Sequence, residues 1–284
     1  MESSAPKAPA AQPAKNLVKK EEKISNVRGI RNAFFVILAC AVVAVCIFLF
    51  VMGNAANFEG NDPAAGHPLN LLGTVYKGGF IVPILMTLFL TVIVISIERA
   101  IAISSASGKG NTTKFVADIK SLLAANKIDA AMQRCRDQKG SVASVVYNTL
   151  VKYKEMDANT VLSKEQKLTT LRNEVEEATA LEMPSLSQNL PIVATLTTLG
   201  TLVGLLGTVK GMIKSFQALA NSGSPDSTEL STGISEALVN TAFGIATGAF
   251  AVISYNYFTN KIDNLTYAID EIGFSIVATF AATH

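Results

Sequence analysis

Thr208, Thr241, Glu236 and Asn240 are the side chains in this sequence that could pass a proton or a small cation through apolar surroundings. Thr208 lies in LVGLLGTVKGMIKSF, Leu202 to Phe216, a run that also carries Gly204, Gly207 and Gly211. With Gly200, these glycines are spaced 4, 3 and 4 residues apart. At helical pitch they share one narrow face. Glycine costs about 1 kcal/mol against alanine in an exposed soluble helix. In a membrane helix a stripe of small residues lets a neighbouring backbone come close, within one chain or between chains. Thr197, Thr201 and Thr208 form a second stripe beside the glycines. One threonine hydroxyl can bond its own helix, but three on one face indicate a polar or hydrated surface.

A matching surface follows. Glu236, Asn240, Gly244, Thr247, Ala251 and Ser254 recur at spacings of 4, 4, 3, 4 and 3, with Thr241 and Gly248 flanking them. An acid beside an apolar span marks a functional site by default. Glu236 has a second reading: if Gly233 caps the helix, Glu236 is its third residue and satisfies free backbone donors and the helix dipole. A self-sufficient ion path would need a carboxylate in mid-membrane, and neither segment carries one. A partner chain is expected to supply it.

The elements that must hold these residues are membrane helices. Of 284 residues, 49% are hydrophobic and 16% charged, which is too apolar for an ordinary soluble domain. Four segments are long enough to cross a bilayer: Ala33–Met52, Phe80–Ile97, Leu190–Val209 and Ala237–Phe258. Lys and Arg alternate about them: seven in residues 1–32, one in 53–79, thirteen in 98–189 and none in 216–236. The positive-inside rule then places both termini in the cytoplasm. The first segment is long for a cleaved leader ending near Ala55, and 32 residues precede it.

The expected order is a disordered tail at 1–32, an extra span at 33–52 and an outer loop at 53–79. A second span at 80–103 and a cytoplasmic helical region at 104–189 follow. A third span at 190–216, a short outer turn at 217–233, a fourth span at 234–259 and a C-terminal helix at 260–284 complete the chain. Within the cytoplasmic region three short amphipathic helices precede a long one. That last helix starts at Ser163 and runs, kinked near Pro184 and Pro191, through the third span. Pro83 either kinks the second span or sits in its first turn. The fold class is all-α integral membrane, with long helical extensions on the cytoplasmic side.

Other chemistries find no support. Cys40, Cys46 and Cys135 form no CxxC pair, and His67 and His284 stand far apart, so no metal site is expected. Zinc-protease, hydrolase-elbow and phosphate-loop motifs are absent, and no basic run interleaves with aromatics. Neither an enzyme nor a nucleic-acid binder is expected, and no cofactor.

GLLGTVKGMIKSF, Gly204 to Phe216, resembles the GLxGTVxGMIxxF of the ExbB/TolQ/MotA family of proton-channel and motor subunits, ExbB above all. GISEALVNTAFGIATGAFAVISYNYF, Gly233 to Phe258, resembles that family's GIxxALxxTAxGLxxAIPAxxxYNxF. Glu98–Ala100 fits the end of its first core helix, and the resemblance covers roughly residues 78–282. It implies a bacterial inner-membrane motor. Five copies would form a ring around two ExbD-like subunits, each bringing one helix with an ion-carrying aspartate, and work would pass to a TonB-like protein. It also implies that Thr208 and Thr241 face those central helices, with Thr201 and Asn240 along the pathway. Glu236 would line the outer end, and the glycines Gly200, Gly204, Gly207, Gly211, Gly244 and Gly248 would pack helices of neighbouring subunits around a tight centre. The coupling ion is a proton, with sodium as the alternative that the hydroxyl-rich third span raises. The sequence departs from the pattern at Phe250, where the family has proline, and at Lys210, where it often has an aromatic residue. It also has an extra first span. Four spans occur in MotA, so a flagellar-stator or TolQ-like role stands as the alternative, beside a plain membrane scaffold or transporter.

Overall fold

The computed structural model describes residues 32–64, 66–221 and 227–284. These form nine α-helices: α1 Ala33–Cys46, α2 Leu71–Lys77, α3 Ile81–Ala106, α4 Thr112–Ala124, α5 Ile128–Gln138, α6 Gly140–Ala158, α7 Lys164–Ser187, α8 Leu190–Asn221 and α9 Ser227–Thr283. No β-strand forms among the described residues, although Phe58 and Pro68 make an isolated antiparallel bridge. Four helical stretches are long and apolar enough to cross a membrane, namely Ala33–Met52, Ile81–Ala106, Lys164–Gln217 and Leu230–Thr283. The tail expected at 1–32 lies outside the described residues except for residue 32, and so does the middle of the turn expected at 217–233.

α9 is the spine. Its 57 residues would reach about 86 Å at helical rise. The sequence reading has the C-terminal helix continue the fourth span past residue 259, and α9 runs without a break to Thr283. Its first half packs on α8 and α3, and its second half on α4, α6 and α7. The second half completes the largest apolar core, where Phe115, Leu150, Leu171, Ile272 and Phe280 are almost wholly buried. α5 closes this core through Ala131 and Cys135. Burial pushes the Cys135 thiol up to about 12, so it is inert at neutral pH.

The long helix expected from Ser163 is two helices. Ser163 does start it, with a capping box in which its side chain accepts from Gln166 N and Gln166 reaches back. The chain then breaks at Asn189, whose φ is 65°, in the left-handed region that an uninterrupted helix excludes. Pro184 stays inside α7, and Pro191 sits in the first turn of α8, where its missing N–H costs nothing. Pro83 likewise occupies the first turn of α3, and the helix continues past it.

A buried cation holds this break. Arg99 on α3 is fully buried. Its Nε donates to Glu98 Oε2 at 2.6 Å, and a second nitrogen bonds Glu98 Oε1. Its Nη1 donates to the carbonyls of Ser185 and Leu186, each at 3.2 Å. Those carbonyls end α7 and would otherwise lack donors. Arg99 thus ties the second span to the α7–α8 junction.

Two substitutions test these supports. Arg99→Met leaves the Glu98 carboxylate without its buried partner, and a loss of about 3–5 kcal/mol is expected. It would be read as a lowered thermal midpoint in detergent. Gly244→Ala would place a Cβ 2.7 Å from Gly200 O and Gly204 Cα. Backbone must move to admit it, with an expected loss of about 1–3 kcal/mol in the same assay.

Candidate ion-pathway site

The site is built along the seam between α8 and α9. Each glycine of the α8 stripe meets α9 of the same chain. A Cβ on Gly204 would lie 2.9 Å from Gly244 Cα, and one on Gly207 would lie 2.4 Å from Asn240 Cβ. At Gly211 the neighbour is Ala237, at Gly200 it is Thr247, and Gly248 sits against Thr201 Oγ1 and Thr197 O. The stripe therefore serves a contact inside the subunit, the packing within one chain that its spacing allowed. The two backbones approach so closely that no larger side chain fits between them.

Close approach brings the hydroxyls together. Thr208 Oγ1 and Thr241 Oγ1 lie 2.6 Å apart across the seam, both residues half-buried. Thr208 also bonds Gly204 O at 3.2 Å. The rest of the threonine stripe turns inward on its own helix. Thr195, Thr197 and Thr201 bond the carbonyls of Pro191, Val193 and Thr197. Thr201 remains exposed at the surface of α8.

Glu236 and Asn240 face the interior of the chain. Asn240 is buried, its Nδ2 donating to Gly78 O at 3.3 Å, while its Oδ1 has no hydrogen-bond partner among the described residues. The Glu236 side chain is 8% exposed and Lys214 Nζ contacts both its oxygens, at 3.0 and 3.2 Å. The reading of Glu236 as a third-residue cap is overturned. α9 begins at Ser227, so Gly233 is inside the helix and Glu236 lies beyond the first turn, where its own backbone donor is already within the ladder. Gly233 is instead a close contact, its added Cβ falling 2.1 Å from Ser215 Oγ.

Lys214 is the residue that the sequence reading passed over. The available signal was a lysine continuing an apolar helix with no acid three or four residues away on α8. Its partner lies on another helix, which periodicity cannot reveal. Lys210 stands with its Nζ 3.9 Å from the Phe80 ring centroid, a cation–π contact in place of an aromatic residue. Phe250 is partly exposed and pairs with Phe89 at 6.0 Å between ring centroids. Among the described residues, no cluster of His, Cys, Asp or Glu could hold a metal ion.

The seam and its polar residues fall in a segment with known relatives. Residues 142–271 match the model of the MotA/TolQ/ExbB proton channel family. Over this segment, somewhat less than half of its length, the chain is similar to the MotA/TolQ/ExbB family. It is 38% identical over 88 residues to the Tol-Pal system protein TolQ of Pseudomonas aeruginosa, covering 31% of this chain and 38% of that one. It is 29% identical over 126 residues to the biopolymer transport protein ExbB of Pseudomonas putida, covering 44% and 38%. With a putative ExbB homolog of Methanothermobacter thermautotrophicus it shares 32% over 97 residues, covering 33% and 34%. The chain thus spans well under half the length of these relatives. The family match begins at Val142, so α1 and the segment up to α5 lie outside it.

The hydroxyl pair is open to a double-mutant cycle. Thr208→Val and Thr241→Val should each cost about 1 kcal/mol of stability, and the double variant little more than either alone. Additive losses, read in denaturant titrations of the purified protein, would show that the two hydroxyls do not interact.

Proposed function

We propose that this protein is an ion-motive-force-driven motor subunit of the ExbB/TolQ type rather than an enzyme. Five copies form a ring in the bacterial inner membrane, with both termini in the cytoplasm. The ring encloses two ExbD-like subunits, each with one membrane helix and a carboxylate that carries the ion. The coupling ion is a proton. The reading assigns the work to a TonB-like protein that drives outer-membrane transport.

One observation carries the proposal. A buried carboxylate, Glu236, and the Thr208–Thr241 hydroxyl pair lie along one helix–helix seam inside a proton-channel family segment. Hydroxyls and carboxylates are the groups that relay protons where water is scarce. A partner must add the mid-membrane acid, since α8 and α9 bring only Glu236 near their apolar lengths.

A second reading, a Tol-Pal-type envelope motor, has support of its own, because relatives of both names match the same part of the chain. A MotA-like stator is favoured only by the count of four spans.

The complex purified from its native membrane decides these readings. Native mass spectrometry should find five copies with two copies of a single-span protein that carries a membrane aspartate. The energy-coupled protein that co-purifies separates TonB-type from Tol-type use. Glu236→Ala and Thr241→Val should each lower ion-driven work at least tenfold and leave the mass of the complex unchanged. A monomer without such a partner, or full activity in both variants, would remove the motor reading.

A further inference from the structure

The outer segment, residues 53–79, lies outside the family match, and it is firmly built. Asn57 donates to the carbonyls of Val51 and Met52, closing the end of the first span, and accepts from Asn70 Nδ2 at 2.9 Å. Tyr76 stacks on Phe48 with ring centroids 4.7 Å apart. Lys77 Nζ donates to Ala64 O at 2.9 Å and lies 5.5 Å from the Phe58 ring centroid, so its ammonium is held within this segment.

Between this segment and the outer end of α9 is a cavity of about 170 Å³, lined by Thr74 and Lys77 on one side and by Ser231, Ser235 and Glu236 on the other. It has room for about five waters at ~30 Å³ each. Its lining mixes these polar side chains with apolar surface, Pro68 included, and the polar groups offer water the partners that it needs. Lys214 is not part of that lining, and it holds the Glu236 carboxylate from α8.

We propose that this cavity is the aqueous vestibule through which the coupling proton reaches Glu236. Lys77 is the fixed positive charge that turns metal cations away, and Lys214 is the tethered counter-ion that protonation of Glu236 releases. The inference rests on the motor reading above and adds to it a route of access and a source of ion selectivity. A buried carboxylate in a membrane protein needs a path from water. The cavity is such a path, and its hydroxyls continue the relay. A proton needs one lone pair of the carboxylate and moves by exchange between waters and hydroxyls. A metal cation needs a shell of several oxygens. It would have to displace the Lys214 ammonium from both carboxylate oxygens, in a cavity that Lys77 also lines. When the proton binds, the carboxylate becomes a neutral acid, the attraction that holds Lys214 is lost, and the ammonium is free to leave.

The test is thiol labelling of the intact complex in its native membranes, in a Cys46→Ala background. Cys40 and Cys135 are buried and stay silent. Ser235→Cys and Thr74→Cys place thiols in the cavity, and Leu238→Cys places one on the exposed apolar face of α9. The probes are two small methanethiosulfonates of similar size, one bearing a sulfonate and one a quaternary ammonium, added from the outer side. Both cavity positions should react at least tenfold faster than Leu238→Cys. The anionic probe should lead the cationic one by at least fivefold, and Lys77→Gln should abolish that lead. Unreactive cavity thiols, or a probe preference that survives Lys77→Gln, would overturn the vestibule. Labelling needs no turnover, so the two readings fail separately. A chain that purifies as a monomer without an aspartate-bearing partner would sink the motor even where the cavity thiols label, and normal ion-driven work in Glu236→Ala would sink the route through Glu236 and leave the motor. A motor that stops in Glu236→Ala while the cavity thiols stay unlabelled would sink the vestibule alone.

Discussion

The close contact of α8 with α9 is the constraint on which the rest depends. Within a bilayer there is no hydrophobic gain from bringing two apolar helices together, so packing must supply the attraction. Here it comes from glycine facing glycine. Gly200 and Gly204 on α8 meet Gly244 on α9 backbone to backbone. That distance sets everything polar along the seam. It brings Thr208 and Thr241 within 2.6 Å, and it lets a lysine on α8 reach a carboxylate buried on α9. Wider spacing would leave the Glu236 carboxylate in apolar surroundings without Lys214, a cost of several kcal/mol.

The glycines and the polar groups are thus two parts of one arrangement. Residues with no side chain make room, and residues with short polar side chains use it. The same economy appears at the other end of the spans. There Arg99 serves two carbonyls freed by the break at Asn189, so these acceptors keep a donor although the helix is interrupted. α9 carries both regions on one continuous helix, with Glu236 near its N-terminal end and the core around Ile272 and Phe280 near the other. A displacement of α9 at one end is therefore felt at the other.

Much of the architecture was legible in the residues. Apolar length gave four spans because a bilayer sets a fixed thickness, and helical spacing gave α4 and α5 because each buries one face, whereas α6, expected to be amphipathic, is buried on every side from Gly140 to Tyr147. The junction at Asn189 was less legible: Pro184 and Pro191 drew the eye, yet proline is tolerated in both places and an asparagine takes the left-handed turn. The cap reading of Glu236 failed for a related reason. Gly233 looked like a helix start, but its lack of a side chain serves contact with Ser215 inside the helix. Glycine has several uses, and spacing along one element does not distinguish them.

By itself the sequence determined the helical class, the spans, the shared faces of glycine and hydroxyl, and the likeness to a family of ion-driven motors. These follow from local properties, namely hydropathy, periodicity and short motifs. Only the tertiary structure decided which partner each face meets. It turned the Glu236 face inward, gave that carboxylate Lys214 across 22 residues of sequence, and set Thr74 and Lys77 beside it to line a partly open cavity. Such pairings depend on the rotation and distance of whole helices, which no single element encodes.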